Sequence, residues 1–314
     1  MKTSRSFAAW ADYVGLAAAL GGLILYFSLT TENFLSPVNF KTIANQVPAD
    51  LAIAAGMTLV LISGGIDLSV GSVLALSAAV FGVVLARDGA SFPVAAAACL
   101  FTGFACGAAN ASIVSYMRVP SFVVTLGMLE AARGATFLVT DSQTQYLGER
   151  VEWIAEELFL GISAPAIVAA AVLLAAHVVL TATPFGRRLF AMGQNEEAAR
   201  LSGIPVRRIR WIVFATAGLL AGLGAILHTA RLSAADPNAG VGLELRAIAA
   251  VVIGGTSLAG GRGSVIRSGI GVVLIAVLGS GLAQSGAQEP VKRLITGLVI
   301  VGAVILDQLR RRAR

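Results

Sequence analysis

The residues able to do chemistry in this chain are few. Cys99 and Cys106 lie seven positions apart in one apolar run. On a helix that separation is about 10 Å, too far for a disulfide. His177 and His228 stand alone, so no group of side chains has the spacing of metal ligands. The lysines are Lys2, Lys41 and Lys292, preceded by Met1, Phe40 and Val291. A nucleotide P-loop needs Gly-Lys-Ser/Thr, so the chain carries no Walker motif and is not expected to hydrolyse ATP that way. No nucleophile–base constellation argues for a membrane-embedded enzyme. No catalytic residue, metal or cofactor is therefore expected on this chain.

Three polar features remain. The first is ISGGIDLSVGSV, Ile62 to Val73. Gly64 and Gly65 allow a positive φ and can end one helix. Asp67 or Ser69 can cap the next, which opens with Gly71 and Ser72. Unwound backbone at membrane depth must be buried in protein or line a cavity. The break therefore reads as shaping a polar path, with Asp67 either a helix cap or a charge in that path. The second feature is Glu130 and Arg133 in LGMLEAARGA. Three apart on a helix, they share a face and can neutralise each other, towards a pathway or towards a neighbouring helix. The third is the polar interval 183–211. It holds Arg187, Arg188, Arg200, Arg207, Arg208 and Arg210 against Glu196 and Glu197. Asn195 can cap a short helix there, with Glu196 and Glu197 at its positive end. Ala198, Ala199 and Leu201 give that helix a small apolar side, Gly203 can end it, and Pro205 follows as a stop. Such a helix suits a groove on another protein; the alternative is a solvated basic connector.

These features must be positioned by a membrane bundle. The chain of 314 residues is 57% hydrophobic and 13% charged, where a soluble domain carries about 25% charged residues. The expected fold is an all-α polytopic helix bundle, one domain over residues 1–314, with about ten spans and some helices broken at glycine. The apolar runs lie at about 11–29, 47–62, 70–86, 92–116, 122–139, 162–180, 212–229, 247–258, 269–287 and 294–306. The first lacks a signal-peptide cleavage pattern and is expected to remain a span. Residues 141–158 carry acids opposite Val151, Ile154 and Leu158, the pattern of an amphipathic helix on a membrane surface. With ten alternating spans, fifteen of the 23 Lys and Arg fall on the side of the N-terminus and seven on the other, with Arg133 inside a span. That excess predicts both termini in the cytoplasm. The net charge of +6 sits between spans, so it points to a bilayer and not to nucleic acid. A second break, VIGGTSLAGGRGSV from Val252 to Val265, is like the first. Such pairs mark internal repeats in transporter folds, or arise by chance where Gly, Leu and Ser are frequent.

The segments AAGMTLVLISGGIDLSVGSVLALS, AMGQNEEAARLSGIPV and AIAAVVIGGTSLAGGRGSV together resemble the permease subunits of ribose-type sugar ABC importers. FLSPVNF and VPSFVVTLGML match as well, and the similarity covers nearly the whole chain in order. The resemblance implies a subunit of a bacterial inner membrane transporter that passes a monosaccharide from a periplasmic sugar-binding protein. It implies a second permease copy, or a paired permease, and separate ABC ATPase subunits that hold ATP and Mg. It implies that the central loop is the ATPase-coupling helix, with Gly193, Asn195, Ala198, Ala199, Leu201, Gly203 and Ile204 matching that loop. Gly64, Gly65, Asp67, Leu68, Ser69, Gly71 and Ser72 match the Gly-rich signature. One departure stands out: Arg246 follows Glu244 and Leu245 where the family usually carries an acid. The competing reading is an ion-coupled secondary transporter of a small polar solute. That would need intramembrane acids or histidines as a relay, and the candidates are Asp67, Glu130, His177 and His228.

The topology is tested by labelling. With Cys99 and Cys106 removed, a single cysteine at Ser142 or Asn238 should react with an impermeant reagent in intact cells. One at Glu197 should react only after the membrane is opened. The reverse pattern would invert the orientation.

Overall fold

A computed structural model describes residues 2–159 and 161–312. Among the described residues the chain is carried by fourteen helices. The first seven are α1 (Lys2–Thr30), α2 (Pro37–Gln46), α3 (Pro48–Ile62), α4 (Val70–Gly82), α5 (Phe92–Tyr116), α6 (Ser121–Val139) and α7 (Glu149–Ala155). The rest are α8 (Ala164–Ala182), α9 (Pro184–Gln194), α10 (Glu196–Leu201), α11 (Val206–Leu232), α12 (Leu243–Ile253), α13 (Val265–Gln284) and α14 (Glu289–Arg312). A π-helical turn, Val83–Arg87, prolongs α4. Many helices open on proline, whose missing N–H is unneeded in a first turn: Pro37, Pro48, Phe92-Pro93, Ala164-Pro165 and Pro184.

Among the described residues seven helices are long and apolar enough to cross a membrane, namely α1, α4 with its π turn, α5, α6, α8, α11 and α13. The pair α2 and α3 passes together but is bent by 46°, which gives up to eight. The fold class is as expected, but this does not confirm ten spans. The run near 247–258 becomes α12, eleven residues or about 16 Å, roughly half a bilayer. The run 294–306 falls in α14, where Lys292 and Arg293 on one side and Asp307 on the other close in a short apolar stretch.

Helix α11 is the axis of the bundle, packed on α5, α3 and α4. Its seam with α5 is made of glycines. Gly103 and Gly107 face Gly218 and Gly222 at a spacing of four on each helix. A β-carbon on Gly107 would lie 2.6 Å from the Phe214 carbonyl oxygen, and one on Gly218 would lie 2.3 Å from the Gly103 carbonyl oxygen. In lipid, apolar burial does not drive helices together, so small residues that let backbones touch do that job. At the end of α4 the structure corrects the surface-helix expectation. Val151 and Ile154 of α7 are buried in the main hydrophobic core, whereas Leu158 lies exposed in a short strand. The segment 149–159 therefore packs on the protein. Four short strands complete this end. β1 (Gln145–Tyr146) pairs antiparallel with β4 (Ala234–Ala235), and β2 (Glu157–Phe159) with β3 (Ile162–Ser163).

The seam predicts a position-specific penalty. Gly218→Leu should lower the yield of folded, detergent-purified protein and its melting temperature, because overpacking costs at least about 1–3 kcal/mol and here meets backbone. Gly127→Leu, at a site with nothing within 4 Å of the added β-carbon, should melt like the parent. Equal melting of both variants would remove the seam from the stability argument.

Candidate functional site

The polar interval folds as two helices, only one of which the sequence reading drew. Helix α9 was missed. Thr183 accepts from the Gly186 N–H at 3.4 Å and Pro184 supplies the first turn, a Thr-Pro start that was there to be read. Helix α10 is as expected. The Asn195 Oδ1 accepts from the Ala198 N–H at 2.9 Å. Gly203, at φ 79°, turns the chain, while the Gly203 N–H reaches the Arg200 carbonyl at 3.1 Å and the Ile204 N–H reaches Ala199 at 3.0 Å. Ala199 is buried beneath, whereas Asn195, Glu196, Glu197, Ala198, Leu201 and Gly203 are exposed, Leu201 to 74%. Glu196 pairs with Arg210 and Glu197 with Arg200. The Arg200 hydrogen bond holds the Glu197 carboxyl below the usual carboxylate range.

Gly193 joins this arm to the bundle. A β-carbon there would lie 1.8 Å from the Ile62 carbonyl oxygen and 2.5 Å from the Gly261 nitrogen. The same Ile62 carbonyl accepts the Gly261 N–H at 2.9 Å. A β-carbon on Gly260 would lie 2.9 Å from the Gly64 Cα. The arm of α9 and α10 and both Gly-rich breaks therefore meet at one point, through backbone alone.

The two breaks share one device. At the end of α3 the Gly64 N–H reaches the Leu61 carbonyl at 2.9 Å and the Gly65 N–H reaches Val60 at 3.1 Å, with Gly64 at φ 80°. At the end of α12 the Gly255 N–H reaches Val252 at 2.8 Å and the Thr256 N–H reaches Val251 at 3.1 Å, with Gly255 at φ 81°. Both are left-handed glycine caps in the same register, in keeping with a repeat. Thr58 on α3 donates to Ser268 on α13 at 2.8 Å, which ties the two halves together inside the bundle.

Beyond Gly65 the chain leaves the helix until Val70, and its backbone is satisfied by hydroxyls. Ser121 accepts from the Ile66 N–H at 3.0 Å; Thr125 accepts from the Leu68 N–H at 3.1 Å and donates within 3.2 Å of the Ile66 carbonyl. Ser121 and Thr125 lie four apart on α6, so one helix face serves one unwound stretch. Asp67 corrects the capping expectation. Its Oδ1 accepts from the Ser69 N–H at 2.8 Å and the Ser69 hydroxyl at 2.6 Å, and Ser69, the residue before α4, makes no side-chain cap bond. Asp67 holds the unwound stretch rather than the α4 first turn. Asn110 of α5 donates to the Ser69 Oγ at 3.0 Å, a partner 41 positions away that no local pattern marks. Asp67, Ser69 and Ser72 are buried in protein; Gly64 and Gly65 border a cavity beside α10. Gly71 lets the 233–242 loop approach, since a β-carbon there would lie 2.3 Å from the Gly240 carbonyl oxygen.

Among the described residues Glu130 and Arg133 make no direct ion pair, although their charges interact through space. The Arg133 guanidinium donates to the Pro237 and Ala239 carbonyls at 2.9 and 2.8 Å, while Glu130 is exposed. Unsatisfied loop carbonyls attract the arginine across the bundle, and a shared helix face does not compel contact. Arg246 is exposed near the start of α12.

Gly65→Val should abolish uptake, because a β-carbon there lies 2.9 Å from the buried Phe214 ring. Asp67→Asn should retain much of it, since an amide oxygen can accept the same two bonds. Thr125→Val should destabilise by about 1–3 kcal/mol through the orphaned Leu68 N–H. Uptake in membrane vesicles and melting of the purified protein check these. An inactive Asp67→Asn beside an active Gly65→Val would make the carboxylate the working group.

A family model for the permease component of branched-chain amino acid transport systems matches residues 39–304. A ribose import permease protein of Escherichia coli (strain K12) is 40% identical over 298 residues, 93% of this chain and 92% of that protein. A ribose import permease protein of Bacillus subtilis (strain 168) is 39% identical, over 91% of this chain and 89% of that one. A D-allose transport system permease protein of Escherichia coli (strain K12) is 34% identical, over 98% and 95%. No solved structure matches the chain. The glycine-capped breaks, the short capped helix on its basic arm and these matches over nearly the full length agree: this multi-pass membrane chain belongs to the permease-component family, as the non-enzymatic membrane subunit of an ABC importer.

Proposed function

We propose that the chain forms the translocation path for a monosaccharide of the pentose or hexose class across a bacterial inner membrane. Sugar transport is named for the ribose and D-allose permeases and for an L-arabinose ABC transporter permease of Azospirillum brasilense, 34% identical over 295 residues. In this reading the whole chain, 1–314, works as one permease domain with both termini cytoplasmic. The exposed face of α10 docks into an ABC ATPase subunit, which binds the ATP and Mg. The opposite end, around α7 and the 233–242 loop, receives a periplasmic sugar-binding protein. A second permease copy completes the path, and Gly64 and Gly65 border it. The observation that carries the reading is the backbone contact of Gly193 with Ile62 and Gly261, which supports α10 as a handle on both breaks.

The test is uptake in inverted and right-side-out vesicles containing the chain with its ATPase and binding protein. Sugar movement should need ATP and persist when ion gradients are collapsed; the opposite dependence would favour an ion-coupled carrier. Glu196→Arg, which places a cation against Arg210, and Gly203→Val, which forces a β-branched side chain to φ 79°, should cut uptake at least tenfold while the protein still inserts. Gly193→Ala should uncouple ATP hydrolysis from uptake. Unchanged uptake and unchanged ATPase co-purification in all three would defeat the coupling assignment.

A further inference from the structure

Beside α10 lies a cavity of about 930 Å³, walled by the ends of α5 and α6, the start of α11 and the exposed Gly64 backbone. Its charge is unbalanced. Five arginines line it, Arg118, Arg200, Arg207, Arg208 and Arg210, against Glu196 and Glu197. Glu196 is taken by Arg210 and Glu197 by Arg200. Arg118, Arg207 and Arg208 are exposed and make no salt bridge among the described residues, although the Arg118 charge reaches Glu197 through space. Two helix N-termini open on the same space. Helix α6, with Pro120 before it, and α11, with Pro205 before it, both lack a side-chain cap and present positive dipole ends, although the Val206 N–H is donated to the Ile204 carbonyl at 2.8 Å and the Val123 N–H to Pro120 at 3.1 Å. A third, independent observation points to a ligand. Ser115 lines the cavity at 1% exposure, and its hydroxyl has no hydrogen-bond partner. A buried hydroxyl without a partner is costly, and an oxyanion would satisfy it. Arg118 itself sits at φ 58°, a left-handed conformation unusual for a residue with a side chain.

Three forked guanidinium groups, two helix N-termini and a hydroxyl donor form a set suited to a tetrahedral oxyanion. The cavity lies at the C-terminal end of α5 and the N-terminal ends of α6 and α11, and is lined by the terminal residues of those three candidate spans. The ends of spans are the level at which lipid phosphates sit and cations of the cytoplasmic face are attracted to them.

We infer that this cavity binds a phosphate group, held by Arg118, Arg207 and Arg208 with Ser115 at its floor, and that the bound anion bridges the coupling arm to the α5–α6 turn. The phosphate can be the headgroup of an anionic phospholipid or a free phosphate, and the experiment separates them. The assay reads binding, not uptake, so its result stands apart from the sugar assignment. The permease–ATPase complex is purified into nanodiscs of phosphatidylcholine. One arm titrates in phosphatidylglycerol and counts retained lipid by native mass spectrometry; the other follows radiolabelled inorganic phosphate by equilibrium dialysis. The triple change Arg118→Gln, Arg207→Gln, Arg208→Gln should weaken binding at least tenfold. The same three positions changed to Lys should keep it within about threefold, since charge survives although the fork does not. Ser115→Ala should weaken it a few-fold. Binding of phosphatidylglycerol alone identifies a lipid headgroup, binding of inorganic phosphate alone a free anion, and both a shared site. Neither probe binding, including the case in which the ATPase itself fills the cavity, overturns the inference. So does equal binding by the glutamine triple.

Discussion

The carbonyl oxygen of Ile62 is the contact on which the rest of the structure depends. It ends α3, accepts the Gly261 N–H at 2.9 Å, and leaves room for Gly193 only because Gly193 has no β-carbon. Three segments remote in sequence meet there, and no side chain intervenes. A contact between backbones has no rotamers to absorb a displacement. A shift of α9 must therefore move the end of α3, the second break, or both, in a core too densely packed to yield locally.

The region that α9 touches is held by two further constraints. The glycine seam between α5 and α11 fixes the axis of the bundle at backbone contact, and α11 starts within a few residues of α10. The unwound stretch after Gly65 is fixed by the hydroxyls of Ser121 and Thr125, which supply the hydrogen bonds a helix would otherwise make for itself. Backbone inside a bilayer cannot turn to water, so an unwound segment must find such partners. Asp67 serves the same end: its carboxylate is occupied with Ser69, and Asn110 reaches Ser69 from α5.

Local rules made part of this legible in the sequence. Asn195 and Gly203 bracket a six-residue helix as cap chemistry dictates, and Gly64 and Gly255 end their helices by the same rule. Where the deciding partner is distant, sequence was mute. Asp67 had the right type and spacing for a cap, but the stretch it sits in is unwound because α6, more than fifty residues on, offers two hydroxyls to it. Arg133 had Glu130 within one turn and instead serves carbonyls about a hundred positions away. Leu158 fitted a helical stripe with Val151 and Ile154, yet the helix stops at Ala155 and the chain turns into a strand. Thr183-Pro184 was a readable start that the density of arginines around it obscured. Helix α12 was apolar enough to be drawn as a span but too short to be one.

That shortness bears on how the protein is made. Eleven residues cannot hold both ends of a helix at the two faces of a bilayer, so α12 has no stable resting place of its own in lipid during synthesis. Its neighbours α3 and α13 give it one, and α13 emerges from the ribosome after it. Only with α13 in place does α12 have both its neighbours, and the packing then holds Gly261 beside the end of α3.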